Sequence, residues 1–317
     1  MKKLAIKTGK FCALPLAIVV LSFFIPLPRI FNYHFIKDDC YNHGAWIYDR
    51  IARNNTPVDI AIIGSSHAIH AFNEPVIEKE LDGINVANFG YCRMGRNLQY
   101  VLLKDILKYK NPKMVIIEIS EEETKNSHDI FPYLAENKDL FFSKSAVNRD
   151  YFSDLYYGFI TRLEAVKQIY IFRNDYPEVD LSNYGYGSSD RVATANEIND
   201  NIENWNRRLK RRTNQTLKNI QLKYPKAYLK AMIRLLEEKN IQFCFVYLSE
   251  YGSKLDQPID MEYYSKTGSV LIPPKSLLAN PELWMDDSHL NDRGAEIIST
   301  WIAKKITDSV SECFQEH

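Results

Sequence analysis

The chain has 317 residues, of which 45% are hydrophobic and 25% charged, so it is long enough for one large globular domain and too apolar for a disordered protein. Forty basic side chains balance forty acidic ones, and this zero net charge argues against a nucleic-acid partner, which would require a basic surface. No Cys-x-x-Cys pair is present among the five cysteines, and nothing in the sequence predicts a metal site or a cofactor.

An apolar run near the N-terminus predicts a membrane anchor. Residues 11–27 carry no charged side chain, and four lysines precede them. The run is at the short end of what can cross a hydrocarbon core, and the lysines predict a cytoplasmic N-terminus with the rest of the chain outside. A cleaved signal peptide is the alternative, although residues 25–29 offer no small-x-small cleavage site.

The first 57 residues are therefore divided into two parts. We expect the anchor within residues 1–30, which makes the protein a single-pass membrane protein with an extracytoplasmic domain. Residues 31–57 are more polar and predict a juxtamembrane connection that is helical around residues 45–53.

Beyond residue 58, short apolar runs alternate with amphipathic segments. Four runs predict buried strands, at residues 59–63, 84–89, 113–119 and 241–248. Helices are predicted between and after them, at about residues 73–81, 97–109, 227–239 and 296–306. Continuous apolar strands separated by helices are typical of a parallel sheet covered on both faces. The predicted fold is therefore α/β, a flavodoxin-like three-layer sandwich.

This alternation stops between about residues 121 and 224. The segment is rich in Tyr, Asn and Arg, and it predicts helices near residues 150–173 and 196–218. A segment of this length between core strands is usually a lid or a partner-binding elaboration, and the alternative is a surface subdomain without a direct role. We therefore predict one domain over residues 58–317 with a helical insertion at about 121–224.

Polar residues that follow the predicted strands carry the candidate chemistry. Gly64-Ser65-Ser66 follows the first strand, Asn88-Phe89-Gly90 ends the second, and Asp286-Asp287-Ser288-His289 precedes the last helix. In open parallel sheets, active sites lie at the carboxyl ends of the strands. A serine, a histidine and an acid that meet there are the minimum for nucleophilic acyl transfer.

These motifs resemble the SGNH/GDSL hydrolase superfamily over about residues 58–308. The likeness rests on Gly64-Ser65-Ser66-His67, on Asn88-x-Gly90 and on Asp286-x-x-His289-Leu290-Asn291, in that order. It is nearest to the membrane-anchored, extracytoplasmic branch that is similar to DltD, the teichoic-acid D-alanylation protein, and to the alginate and peptidoglycan O-acetyltransferase domains. In that branch Gly-Ser-Ser often stands where the hydrolases have Gly-Asp-Ser.

The resemblance implies a role for each residue. Ser66 would be the nucleophile, His289 the general base and Asp286 the acid that orients it. The backbone N–H groups of Ser66 and Gly90 would form the oxyanion hole. Ser65 is the fallback nucleophile.

The end of the third strand departs from the family pattern. Glu118-Ile119-Ser120 stands where the hydrolases supply an Asn that donates to the oxyanion. Losing one such donor typically costs about 100- to 1,000-fold in rate. This departure fits a slow transferase, or a protein that kept the fold and lost the reaction.

The function expected from these residues is an envelope acyltransferase or acylesterase that acts on a cell-surface glycan or another acylated polymer. The resemblance also implies a multi-pass membrane partner that supplies the acyl group. Two alternatives stay open. One is a non-catalytic scaffold that binds glycan or a polymer-synthesis partner, and the other is a lipid or thioester hydrolase.

Four further side chains near the motifs are ambiguous. Arg93 and Arg96 follow Gly90 and are candidates to hold an anionic substrate, although loop arginines are more often surface charge. His67 and His70 are either metal ligands or, more commonly, histidines on a helix surface.

The cysteines predict no disulfide framework. Cys92 and Cys244 lie in or beside apolar runs and are expected to be buried, unpaired thiols. Cys40 and Cys313 flank the core and could pair outside the cytoplasm, or stay unpaired.

Overall fold

The computed structural model describes residues 7–9, 11–13, 15, 17, 21, 25, 27–34, 36, 40–142, 147–172, 180, 185–210 and 219–310. Its centre is one parallel sheet of five strands. The strands are β1 (Ile60–Ile63), β2 (Val86–Asn88), β3 (Met114–Ile119), β4 (Gln242–Tyr247) and β5 (Ser269–Leu271). Their order is β2-β1-β3-β4-β5, and every neighbouring pair is parallel, as in flavodoxin-like doubly wound folds. The α/β class and the parallel sheet are therefore confirmed.

Helices connect and cover these strands. In chain order they are α1 (Arg29–His34), α2 (His43–Ala52), α3 (Ser66–Ala71), α4 (Glu74–Glu80), α5 (Arg96–Tyr109), α6 (Phe131–Leu134), α7 (Asn137–Phe142), α8 (Tyr151–Lys167), α9 (Ala195–Lys210), α10 (Lys223–Glu238), α11 (Met261–Ser265) and α12 (Asp292–Val310). A π-helical turn, Gln168–Phe172, extends α8, and 3-10 turns occupy Cys40–Asn42, Lys275–Leu278 and Pro281–Leu283.

The two faces of the sheet belong to separate hydrophobic clusters. Along β1, Ala61 and Ile63 pack in one cluster, while Ile60 and Ile62 pack in the other. Successive side chains of a strand point to opposite faces, so a strand covered on both sides is apolar along most of its length. This is why the strand residues form continuous apolar runs, and it places helices on both sides of the sheet.

Strand β5 was absent from the sequence prediction. It has only three residues, none of them fully buried, and it pairs with β4 at the edge of the sheet. A strand this short lacks enough residues to show a hydrophobic period, so its existence depends on the neighbour that it pairs with.

The segment between residues 29 and 52 packs into the domain. Tyr33 in α1 is fully buried, and its hydroxyl donates to Asp105 Oδ2 at 2.6 Å. Ile47 in α2 is fully buried too. The predicted juxtamembrane connection thus contributes part of the core beside α5.

The predicted membrane span, residues 11–27, lies mostly outside the described residues. Among the residues that are described, no helix combines the length and the apolar character needed to cross a bilayer.

The insertion contains several helices, joined by irregular stretches that include residues 121–130 and 185–194. Helix α8 and its π-helical turn match the helix predicted near 150–173, and α9 matches the first part of the helix predicted at 196–218. Residues 211–218 lie outside the described residues. The short helices α6 and α7 were not predicted, because four to six residues carry too little periodicity.

A disulfide joins Cys40 to Cys92, with the two Cα atoms 6.0 Å apart. The prediction that Cys92 is an unpaired thiol is therefore wrong. The fold brings the start of α2 to the loop after β2, and a separation of 52 residues hid this proximity in the sequence. Cys313 lies outside the described residues. Cys244 is buried, as predicted, and burial raises the pKa of its thiol to about 12.

Candidate active site

A tight turn links β1 to α3 and carries both candidate serines. Ser65 is the N-cap of α3, and its hydroxyl oxygen accepts the His67 N–H at 3.2 Å. Gly64 precedes it, and a Cβ atom there would lie 2.5 Å from the Cβ of Ala68 and closer still to the Glu118 carboxylate. The turn therefore depends on a glycine for close approach of the backbone.

The buried carboxylate of Glu118, near the end of β3, holds this turn in place. It accepts hydrogen bonds from Ser65 N at 2.6 Å, Ser65 Oγ at 2.9 Å and Ala68 N at 3.3 Å, and Glu118 is only 1% exposed. The hydroxyl of Ser65 is thus bound to an acid in the interior. The sequence analysis noted only that Glu118-Ile119-Ser120 stands where the hydrolases supply an Asn. It did not predict that Glu118 holds the turn.

Ser66, His289 and Asp286 converge, and we call them the Ser–His–Asp group. The Nε2 atom of His289 lies 2.8 Å from Ser66 Oγ, and its Nδ1 atom lies 2.8 Å from Asp286 Oδ2. The side chains of His289 and Asp286 are 21% and 27% exposed, so solvent and small molecules can reach them. A serine hydroxyl within hydrogen-bond reach of an imidazole that is oriented by an acid is the geometry of an activated nucleophile.

The carboxylate of Asp286 is held by several donors. Its Oδ1 atom accepts the N–H groups of Ser288 and His289, both at 2.8 Å. Partial burial favours the neutral acid, but the hydrogen bonds from the His289 ring and from the Ser288 N–H outweigh it, and the pKa of Asp286 falls well below its usual range. The ionised carboxylate favours a proton on Nδ1 of His289, which leaves Nε2 free to accept the serine proton.

Two more histidines surround His289. The rings of His67 and His70 lie 5.3 and 5.2 Å from the His289 ring, each roughly edge-on. His70 is buried rather than on a helix surface, and burial lowers its pKa, so it is neutral near pH 7. Its Nδ1 atom lies 2.6 Å from the carbonyl oxygen of Gly187, to which it donates. No group of three or more metal-ligating side chains is arranged to hold a metal within the described ranges.

The two predicted oxyanion donors, the backbone N–H groups of Ser66 and Gly90, differ in their hydrogen bonding. Ser66 is the first residue of α3, where a backbone N–H has no partner inside the helix. The Gly90 N–H instead donates to Asn88 Oδ1 at 3.1 Å. The amide nitrogen of Asn88 donates to the carbonyls of Ala68 and Phe72, so Asn88 fastens the end of β2 to α3. Gly90 can therefore serve an oxyanion only by sharing or leaving its bond to Asn88.

Arg96 lies in the interior, not at the exposed position that the predicted contact with an anionic substrate would require. It is 2% exposed, and its guanidinium donates to Glu123 at 2.7 to 3.0 Å, to Gln99 at 2.6 Å and to the Glu118 carbonyl at 2.9 Å. These hydrogen bonds direct the guanidinium group into the interior.

Arg93 has a different environment. Its side chain is 74% exposed and forms an ion pair with Asp129 across the loop that follows β2. It therefore remains available to a substrate, although an acidic neighbour already offsets its charge.

Sequence reasoning also missed the segment 185–189, which packs against His70, a neighbour of His289. The Gly187 N–H donates to the Ile69 carbonyl, and the Ser189 N–H donates to Asp292 at 2.8 Å. The segment thereby links α3 to the start of α12 and covers His70. Its polar composition resembles that of any loop, so no sequence signal distinguishes it.

No protein-family model and no curated protein matches the chain. Among solved structures, the chain is similar to a protein from Bacteroides fragilis provisionally described as an acylhydrolase, with 11% identity and a TM-score of 0.39. The similarity covers 83% of this chain and 95% of that one.

Proposed function

We propose that the protein is a membrane-anchored, SGNH-type serine acyltransferase or acylesterase that modifies a cell-envelope glycan outside the membrane. The observation that carries the proposal is the hydrogen-bonded chain from Ser66 Oγ through the His289 ring to the Asp286 carboxylate, with both bonds at 2.8 Å. Only a few chemical tasks need a serine activated in this way, and acyl transfer is the principal one.

The chemistry would proceed in two steps. Ser66 Oγ attacks the carbonyl carbon of an acyl donor, His289 Nε2 takes the hydroxyl proton, and the same nitrogen returns it to the departing group. The acyl-enzyme is then attacked by a glycan hydroxyl, in a transferase, or by water, in an esterase, and His289 again moves the proton. Asp286 stays ionised and stabilises the imidazolium that forms in each step.

A cleft in the loop that follows β2 supports a glycan as the substrate. Its volume is about 710 Å³, and its wall begins at Tyr91, whose N–H donates to the Gly64 carbonyl at 3.0 Å. Ser66 is not part of the wall, but it lies two residues beyond Gly64. One residue of the cleft wall, Tyr91, is therefore hydrogen-bonded to the turn that carries Ser66.

The side chains of the cleft suit an uncharged sugar. Asp129, Asp150 and the buried Asp154 line it together with one exposed cation, Arg93. Tyr157 adds an aromatic ring that is 49% exposed. Sugar rings pack their C–H faces on aromatic rings and bond carboxylates through their hydroxyls, while the acidic excess repels polyanions. We therefore assign the cleft to a neutral glycan rather than to the anionic substrate expected from the arginines.

The disulfide supports the proposed location. Disulfides such as Cys40–Cys92 form and persist in oxidising compartments and are rare in the cytosol. The lysine-flanked apolar run at residues 11–27 would tether the domain to the membrane, where a multi-pass partner would supply the acyl group.

Labelling with a fluorophosphonate probe tests the proposal. The probe should phosphonylate Ser66 in the full-length protein, and Ser66→Ala should abolish the labelling. Ser265→Ala is the matched control, because it removes a hydroxyl from an exposed position of α11 without touching the site. Labelling that persists in Ser66→Ala would show that another nucleophile reacts, and the proposed role of Ser66 would be wrong.

A second candidate is a non-catalytic scaffold that binds glycan or a polymer-synthesis partner. It is favoured by the bond between the Gly90 N–H and Asn88, together with the missing Asn at the end of β3, because both reduce the donors available to an oxyanion. A wild-type protein that resists the probe but still binds neutral oligosaccharides would support the scaffold.

A further inference from the structure

His67 places a second imidazole beside the Ser–His–Asp group. It follows Ser66 in α3, and the centre of its ring lies 5.3 Å from that of His289. The side chains of His67 and His289 are both 21% exposed. The His70 ring, by contrast, is buried and donates to the Gly187 carbonyl. Of these two neighbours of His289, only His67 is open to a bound molecule, and the two acyl-transfer steps give it no task.

An acid lies behind the ring of His67, as Asp286 lies behind that of His289. The Nδ1 atom of His67 is 3.7 Å from Glu118 Oε1, within ion-pair distance. The His67 N–H also donates to Ser65 Oγ at 3.2 Å, so Glu118 and Ser65 together fix the residue. A carboxylate on the Nδ1 side favours the tautomer that carries the proton on Nδ1. The other ring nitrogen, Nε2, then has a lone pair that accepts a hydrogen bond.

Two imidazole rings that can accept hydrogen bonds therefore lie side by side next to Ser66. An isolated alcohol has one hydroxyl hydrogen and can serve only one of the two rings. Sugars carry hydroxyl groups on adjacent carbon atoms, and such a pair offers one hydrogen to each ring. The arrangement of His67 and His289 thus matches a vicinal diol better than a single hydroxyl group.

We propose that His67 binds the acceptor glycan by the hydroxyl group adjacent to the one that becomes acylated. The inference rests on the proposed function, and it names vicinal diols as the class of acceptor. In the second step, the oxygen of the reacting hydroxyl attacks the carbonyl carbon of the Ser66 ester, and its proton passes to His289 Nε2. The bond between that carbon and Ser66 Oγ breaks, and His289 returns the proton to the serine oxygen. The neighbouring hydroxyl keeps its proton and stays bound to His67 Nε2 throughout.

Competition between an alcohol and water for the acyl-enzyme tests the proposal. The full-length protein receives a small aryl acetate with either cyclohexanol or the cyclohexanediol whose hydroxyl groups are on adjacent carbons, and the ratio of acylated alcohol to free acid is measured. In wild type this ratio, per hydroxyl group, should be about three- to tenfold higher for the diol, which is the usual contribution of one hydrogen bond. His67→Phe keeps a ring without an acceptor, and it should remove this preference while leaving the ratio for cyclohexanol unchanged. His67→Gln retains an acceptor oxygen and should keep part of the preference.

Both products come from the same acyl-enzyme, so their ratio does not depend on the folded fraction or on the rate of acylation. The role of His67 is overturned if His67→Phe keeps the preference for the diol, or if it lowers the ratios for both alcohols alike, as a purely structural residue would. It is also overturned if the wild type shows no preference, or hydrolyses the ester without acylating either alcohol. In each of these cases Ser66 would remain the nucleophile. A wild-type protein that neither hydrolyses the ester nor acylates an alcohol would refute the proposed function, and the role of His67 with it.

Discussion

Two networks of charged hydrogen bonds lie near the carboxyl ends of the strands, and they differ mainly in their exposure. In the Ser–His–Asp group, His289 and Asp286 are 21% and 27% exposed. In the second network, the side chains of Arg96 and Glu123 are both 1% exposed, and the Tyr264 hydroxyl donates to Glu123 at 2.5 Å. The bond lengths in the two networks are similar, so geometry alone does not separate a reactive site from a structural one.

The two networks differ in whether they can exchange protons and ligands with the solvent. A group that reaches solvent can accept a proton, bind a substrate and release a product. The Arg96 network can do none of these, because burial makes any change of its charge very unfavourable. Its ion pair therefore orders the loop between β3 and α6 and the start of α5. The following substitutions test this distinction between an exposed, reactive network and a buried, structural one.

The largest effect should come from Ser66→Ala. We expect a loss of about 10⁴-fold or more in acyl transfer or ester hydrolysis, since the nucleophile has no replacement. The free energy of unfolding should change by less than about 1 kcal/mol, because the hydroxyl is at a partly exposed turn and its removal opens no core cavity. Activity on a small aryl ester and urea unfolding measure the two quantities. Activity equal to wild type would refute the assignment of the nucleophile.

Arg96→Met should produce the reverse pattern. It leaves Glu123 buried without its cation, and removing one partner of a buried ion pair typically costs about 3–5 kcal/mol of stability. The folded fraction should keep its fluorophosphonate labelling. Arg293→Met is the control, because that side chain is 64% exposed and its pair with Glu282 is on the surface, so we expect a change below about 0.5 kcal/mol. Equal destabilisation by both variants would contradict the structural role of the buried Arg96–Glu123 pair.

Glu74 is a buried carboxyl group whose ionisation should make the stability of the domain depend on pH. Burial raises the pKa of Glu74 to about 8, although its oxygens accept the N–H groups of Asn88 and Tyr186. The folded state therefore holds this proton more tightly than the unfolded chain. The resulting stabilisation is complete below about pH 4.5 and is lost as the pH rises towards 8.

We expect this group to contribute a slope of at most about 1.4 kcal/mol per pH unit to the free energy of unfolding. Glu74→Gln should remove that contribution between pH 5 and 8, while Glu80→Gln, at an exposed position of the same helix, should not. The measurement is urea unfolding of each protein across this range. Identical slopes for wild type and Glu74→Gln would refute the prediction.

Ser65→Ala should have the smallest effect. It removes the N-cap of α3 and one donor to Glu118, and it should lower the free energy of unfolding by about 1–2 kcal/mol. Fluorophosphonate labelling of the folded protein should remain, because Ser66 keeps its bond to His289. Loss of labelling in Ser65→Ala, with retention in Ser66→Ala, would exchange the roles of the two serines.

The sequence by itself determined the layers of the domain. The runs that became β1 to β4 are apolar because both faces of each strand are buried, and this requirement is visible in a single stretch of residues. The candidate site residues could also be recognised from the sequence, because they lie in short motifs. Gly64-Ser65-Ser66 and the Asp286–His289 motif are compact local patterns, and their places next to a strand and a helix follow from the hydrophobic period around them.

Only the tertiary structure decided which of these groups meet and which are sealed from solvent. The tertiary structure places Ser65 against Glu118 and Ser66 against His289. It also buries the ion pair of Arg96 with Glu123 and brings Cys40 to Cys92. Each of these contacts joins residues that are between 27 and 223 positions apart. Local propensity carries no information about such distances, because the chain brings these residues together only when the sheet and its helices pack.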